Sequence, residues 1–120
     1  MSDFTFNPKY ITKSDNQIIE VIYGGMKGLE NFKGVGQEKV FTIKFVGSSL
    51  IKYIPEEKSK GKQEELSFDE IKQTFRTLKS LSVFNTNTIM LKERFTTSLF
   101  RQKIALFGIL LTTEIIKVVE

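Results

Sequence analysis

KVFTIKFVGSSLIKYI, residues Lys39 to Ile54, decides the fold class of this chain. Phe41, Ile43 and Phe45 alternate with polar or smaller residues. That period of two is the mark of a strand with one buried face. A second run, Ser49 to Ile54, follows Gly47-Ser48, and a glycine at the first position of a two-residue loop suits a type II′ hairpin. The spacing predicts that Phe45 faces Leu50, that Phe41 faces Ile54, and that Lys52 lies opposite Ile43.

On the N-terminal side, Gly24 to Gly36 holds five of the eight glycines and reads as a loop, with one turn of helix around Leu29 to Phe32. Before it, Gln17 to Tyr23 (QIIEVIY) is rich in β-branched residues and reads as a strand stopped by Gly24-Gly25. A short helix competes with that reading, because Ser14 and Gln17 have the spacing of a capping box. Residues Met1 to Asn16 form an N-terminal arm or edge strand, in which Phe4 and Phe6 alternate and Pro8 interrupts.

On the C-terminal side, Pro55 ends the hairpin and residues 56–66 form an exposed charged loop around EEKSKGKQEE. Ser67-Phe68-Asp69-Glu70 is a capping box with acids in the first turn, so a helix starts there. Phe68, Ile71, Phe75 and Leu78 fall on one face of it. The polar run Phe84 to Thr88 stops this helix, and a second is predicted from about Ile89 to Phe107. Leu91, Phe95, Leu99 and Leu106 form one apolar arc of that second helix, and Phe100, Ile104, Phe107 and Leu111 form another. Thr112 to Glu120 turns β-branched and reads as a terminal strand. The whole is a single α+β domain over residues 1–120. It has a small antiparallel sheet from the N-terminal half and two C-terminal helices packed on one face.

Composition restricts the chemistry. An apolar fraction of 40% with 27% charged residues is ordinary for a globular domain of 120 residues and argues against disorder. There is no cysteine and no histidine, which removes thiol nucleophiles, zinc-thiolate sites, imidazole bases and the commonest metal ligand together. The apolar run Ile104 to Leu111 is far shorter than the roughly 20 residues of a membrane span, so no membrane partner is expected. The N-terminus lacks the basic and apolar regions of a secretory signal, which points to a cytoplasmic location, or to a virion if the source is viral.

Three motifs touch on catalysis or ligand binding. The glycine-rich segment, with Lys27 and Lys33, matches neither GxxxxGK[ST] nor GxGxxG, and reads as a turn. Glu56-x-Lys58 resembles the acid-x-lysine arm of a metal-dependent nuclease, which requires a partner carboxylate such as Glu20 or Glu38. No nucleophile and base pair accompanies it, so no catalytic residue, metal ligand or cofactor is assigned and the protein is read as noncatalytic. Charge placement is more telling. The net charge is +4, but between Ile71 and Lys103 seven cations stand against Glu93 alone. Among them Lys72, Arg76, Lys79, Arg94 and Arg101 are the candidate phosphate contacts of a basic two-helix surface.

The doubly apolar second helix needs cover on two sides, from its own sheet or from another subunit. Phe100, Ile104, Phe107 and Leu111 are therefore the candidate subunit interface. The function expected from the sequence is a binding or assembly protein with a protein partner or copies of itself, for example a small subunit of a phage or other multiprotein particle. A nucleic-acid-binding protein using the five cations is the alternative, and a metal-dependent nuclease a distant third.

Overall fold

The hairpin at the centre of the sequence is the centre of the sheet. In the computed structural model, which describes residues 3–35, 39–55 and 62–119, strands β3 (Val40–Val46) and β4 (Leu50–Pro55) pair antiparallel. Their register differs from the one predicted. Phe41 faces Pro55, Ile43 faces Tyr53, and then the ladder skips Lys44, so that Phe45 faces Lys52 and Val46 faces Ile51. The turn is Ser48-Ser49, closed by a 2.9 Å bond from the Gly47 N–H to the Leu50 carbonyl. Gly47 is not in the left-handed region, which removes the type II′ assignment.

The physical reason lies on β4. Ile51 and Tyr53 are its buried residues, and the irregularity at Lys44 keeps both Ile43 and Val46 on their side of the sheet. Phe45 is turned outward and is 53% exposed, with the Lys52 ammonium 6.0 Å from its ring centre.

Two further strands widen the hairpin to the order β2-β3-β4-β5. Strand β2 (Asn31–Lys33) occupies the place where a helical turn was predicted, because Phe32 pairs with Phe41 and stacks on it at 5.2 Å. Strand β5 (Glu64–Ser67) takes the last part of the predicted charged loop. Its Leu66 is buried opposite Ile51, while Glu65 points outward to Lys52 at 3.7 Å. Residues 56–61 of that loop lie outside the described residues, and Lys62 and Gln63 lead into β5.

The stretch read as a strand at Gln17 to Tyr23 is a helix, α2 (Asp15–Met26), which follows the single-turn α1 (Pro8–Ile11). Both halves of the Ser14 and Gln17 capping box are present, and Ile18, Ile22 and Met26, four residues apart, are fully buried. Burial at helical spacing has overridden the β propensity of the isoleucines. Gly24 and Gly25, read as breakers, lie inside this helix, and a side chain on Gly25 would meet Thr113 at 2.8 Å.

Helix α3 (Phe68–Ser80) starts where the capping box predicts, with Ser67 Oγ accepting from the Glu70 N–H. Phe68, Ile71, Phe75 and Leu78 are all buried. The single helix predicted from Ile89 to Phe107 is instead three, α4 (Ile89–Arg94), α5 (Thr97–Arg101) and α6 (Lys103–Thr112). Thr96 makes the first break by capping α5, since its hydroxyl accepts from the Leu99 N–H. Threonine and serine compete in this way for backbone groups, which makes them poor in helix interiors and good at helix starts.

Helix α6 crosses β2, α2 packs against both α3 and α6, and the core lies between these helices and the sheet. The terminal strand β6 (Ile116–Val118) forms, but it pairs with β1 (Phe4–Phe6) as a separate two-stranded sheet instead of joining the larger one. Among the described residues no helix is long and apolar enough to cross a membrane. The fold class is α+β with antiparallel sheets.

Candidate functional site

The arc proposed as a subunit interface is largely covered by the chain itself. Phe107 is fully buried, with its ring 6.0 Å from Phe4 and 5.6 Å from Phe84. Phe100, Ile104 and Leu111 are half-buried, packed against the core, and Lys103 caps the Phe100 ring at 4.2 Å. The physical correction is that α6, apolar on every side, is a central helix whose cover comes from β2, α2 and β6.

More than half of the large apolar side chains exposed among the described residues lie on β6 and its end and on the segment 82–89. Strand β1 lies between β6 and the segment 82–85. Phe4 exchanges two backbone bonds with Phe84, at 2.7 and 2.9 Å, and Thr5 Oγ1 donates to the Ser82 carbonyl. On the other side the Val119 N–H donates to the Asp3 carbonyl at 2.9 Å, and Asn85 Nδ2 ties the whole together by donating to Asp3 Oδ1. Asn85 and Thr88 close a turn onto α4, whose first residue is Ile89.

Phe4 and Phe84 face inward on this ribbon. Val83, Ile89, Val118 and Val119 are four of the seven large apolar side chains exposed among the described residues, with Val118, the register partner of Phe4, on the Phe4 face of the ribbon and Val119 on the other. Ile89 is 76% exposed. Because Val119 bonds to β1, alternation sends the backbone groups of Val118 to the opposite side of β6, where no described strand pairs with them, while Ile116 on that side is fully buried.

The five cations predicted to share a surface are divided. Lys72 pairs with Asp69 at 3.5 Å, and Arg101 pairs with Glu64 on β5 at 2.9 Å. Lys79 Nζ donates to the Lys13 carbonyl and lies 5.6 Å from the Phe6 ring centre. Arg76 and Arg94 are exposed and make no ion pair among the described residues.

Arg101 belongs to a cleft of about 180 Å³ with Phe41, Tyr53, Glu64 and Gln102 in its walls. At its floor the Tyr53 hydroxyl donates to Gln102 Oε1 at 2.5 Å, and Gln102 Nε2 donates to the Glu65 carbonyl and to Ser98 Oγ, both at 3.1 Å. Burial, reinforced by the nearby Glu64 carboxylate and opposed by Arg101, pushes the Tyr53 hydroxyl well above its ordinary pKa. The phenol therefore stays protonated, and the network reads as a tie between the sheet and the junction of α5 with α6.

The nuclease-like triplet and the glycine pattern fare differently. Glu56, Lys58, Glu38 and Gly36 lie outside the described residues. Glu20, expected on a strand, is on α2 and lines a groove of about 360 Å³ with Ser48, Asp69 and Lys72. Among the described residues no three acidic side chains converge as a metal site. Lys27 lies over the Tyr23 ring at 5.5 Å, and Lys33 is exposed on β2. Comparison with protein-family models, with curated proteins and with solved structures found no match to this chain.

Sequence reasoning missed this surface because Val83 and Ile89 lie far in sequence from Val118 and Val119. The pairing of β1 with β6 and with Phe84, and the Asp3 to Asn85 bond, join the two segments. The available signal was the pair Val83 and Ile89 flanking the polar turn Asn85 to Thr88, which places apolar residues where a turn exposes them.

Proposed function

We propose that this protein is a noncatalytic assembly subunit that associates with copies of itself through the end formed by β1, β6 and residues 82–89. The observation that carries this reading is that four of the seven large apolar side chains exposed among the described residues, Val83, Ile89, Val118 and Val119, lie on β6 and its end and on the segment 82–89, both joined to β1. Scattered apolar side chains are ordinary on a protein surface, but several on neighbouring elements beside a strand edge favour association. An antiparallel strand pairs with its own copy about a twofold axis, the commonest closed arrangement of identical subunits. Strand β6 is short, which limits indiscriminate strand addition and leaves the flanking side chains to supply the specificity.

The reading is tested by light scattering of the wild-type chain over a wide concentration range, beside an Ile89→Glu, Val119→Glu double variant. Both positions are exposed, so the variant folds and only the contact is charged. The expected result is a concentration-dependent mass for the wild type and a monomer for the variant at equal melting temperature. A wild-type monomer at the highest concentration, or a variant of unchanged mass, overturns it.

A further inference from the structure

The fold builds a basic face that the sequence does not display. The Lys79 ammonium donates to the carbonyl of Lys13, 66 residues earlier, at 3.1 Å. That bond ties the turn that follows α1 to the second half of α3. Arg76 lies one turn before Lys79 on the same helix, and Lys9 is the second residue of α1, with its ammonium 5.5 Å from the Tyr10 ring centre. The contact is also fixed from below, where Phe6 meets Phe75 at 6.2 Å.

Lys9, Lys13 and Arg76 are exposed and Lys79 half-buried, and none of the four pairs with a carboxylate among the described residues. The acid beside them in the chain is Asp15, which leaves an excess of three positive charges. Helix α2 also begins here, next to Lys13, and its N-terminal end adds partial positive charge.

We propose that this α1 and α3 face binds the phosphodiester backbone of nucleic acid without reading sequence. Helix α3 buries six of its thirteen residues in the core, so it is not free to enter a major groove, and the cations on its outer side reach phosphates and not base edges. The half-buried Tyr10 beside Lys9 adds an aromatic surface of the kind on which an unpaired base stacks. A membrane headgroup layer is the weaker fit. Ile11 is the one large apolar side chain of α1 that is exposed, whereas an interfacial helix needs a broad apolar face. This inference is independent of the assembly reading, since it uses a different surface.

The experiment is fluorescence anisotropy of a labelled 20-nucleotide single strand and the matching duplex, titrated with the full chain at several salt concentrations. Four phosphate contacts give a log–log salt slope of about −3, and a Lys9→Gln, Arg76→Gln double variant reduces it to about −1.5, alike for unrelated sequences. A Lys92→Gln, Arg94→Gln variant removes the same net charge from α4 and is expected to leave the slope unchanged. Far-ultraviolet circular dichroism confirms that both variants are folded.

Absence of wild-type binding at low ionic strength overturns the proposal. So does an equal loss in the Lys92, Arg94 control, which would indicate net charge and not this face. Tighter binding to vesicles of phosphatidylserine and phosphatidylcholine than to either oligonucleotide also overturns it, in favour of a membrane surface.

Discussion

Gly108 on α6 crosses the end of β2 at Gly34 so closely that a side chain there has no room. A Cβ on Gly108 would run into the Lys33 carbonyl oxygen and lie 2.9 Å from the Gly34 Cα. Both are backbone atoms and cannot rotate away. In an exposed helix, glycine to alanine gains about 1 kcal/mol from propensity. Here the sign is reversed, and Gly108→Ala is expected to cost about 2–3 kcal/mol by forcing helix and strand apart. Urea unfolding measures it, and a stabilised variant would show that α6 does not pack on β2 at this point.

The Tyr53 and Gln102 pair joins β4 to the junction of α5 with α6. Tyr53→Phe leaves a buried amide oxygen without its donor, at a cost of about 1–3 kcal/mol near neutral pH. The pH dependence follows from the raised pKa. Above about pH 10 the unfolded tyrosine releases its proton while the folded one keeps it, so the wild type loses stability as pH rises through that range. Tyr53→Phe does not have this component, and the stability gap between the two is expected to narrow above about pH 10. Denaturant melts at neutral and alkaline pH compare them, and a gap independent of pH would show that Tyr53 is not held in its neutral form.

What was legible in the sequence was local. Ser67 and the stripe Phe68, Ile71, Phe75 and Leu78 define α3 because cap and stripe need no distant partner. The hairpin was legible as an element, yet its register was not, since the helices that cover Ile51 and Tyr53 decide which face of β4 turns inward. Leu66 gave no sign of β5, being one apolar residue at the end of a charged run. For α2 the signal was present in Ser14 and Gln17, and in the fourfold spacing of Ile18, Ile22 and Met26, but β propensity outweighed it. The candidate surfaces were least legible, because Lys13 meets Lys79, and Asp3 meets Asn85, across most of the chain.

Glu114 is the one described residue other than glycine with a positive φ, 62°, and it ends α6. The Ile115 N–H reaches back to the Leu110 carbonyl at 2.8 Å, the wrapped end that usually carries glycine. A left-handed conformation costs an ordinary side chain about 1–2 kcal/mol, part of which glycine returns as unfolded-chain entropy. Glu114→Gly is expected to gain about 0.5–1 kcal/mol. The Asn7 Nδ2 bond to the Glu114 carbonyl survives, because it uses the backbone. A melting temperature below that of the wild type would mean that the Glu114 side chain contributes something the backbone geometry does not reveal.

Phe107 and Ile89 separate core from surface on the C-terminal helices. Phe107 is fully buried between Phe4 and Phe84, and it holds the two-stranded sheet against α6. Phe107→Ala removes that ring and leaves a cavity where β1 is attached, at a cost of about 3–5 kcal/mol. That is a large share of the roughly 5–15 kcal/mol that stabilises a domain of this kind. Phe107→Glu places an unpaired carboxylate in the same space and is expected to unfold the chain outright. Ile89→Ala, at 76% exposure, is expected to change stability by less than about 0.5 kcal/mol. Denaturant melts of the three variants give the comparison. A folded Phe107→Glu chain would place this ring outside the core and return the Phe100, Ile104, Phe107 and Leu111 arc to consideration as a contact surface.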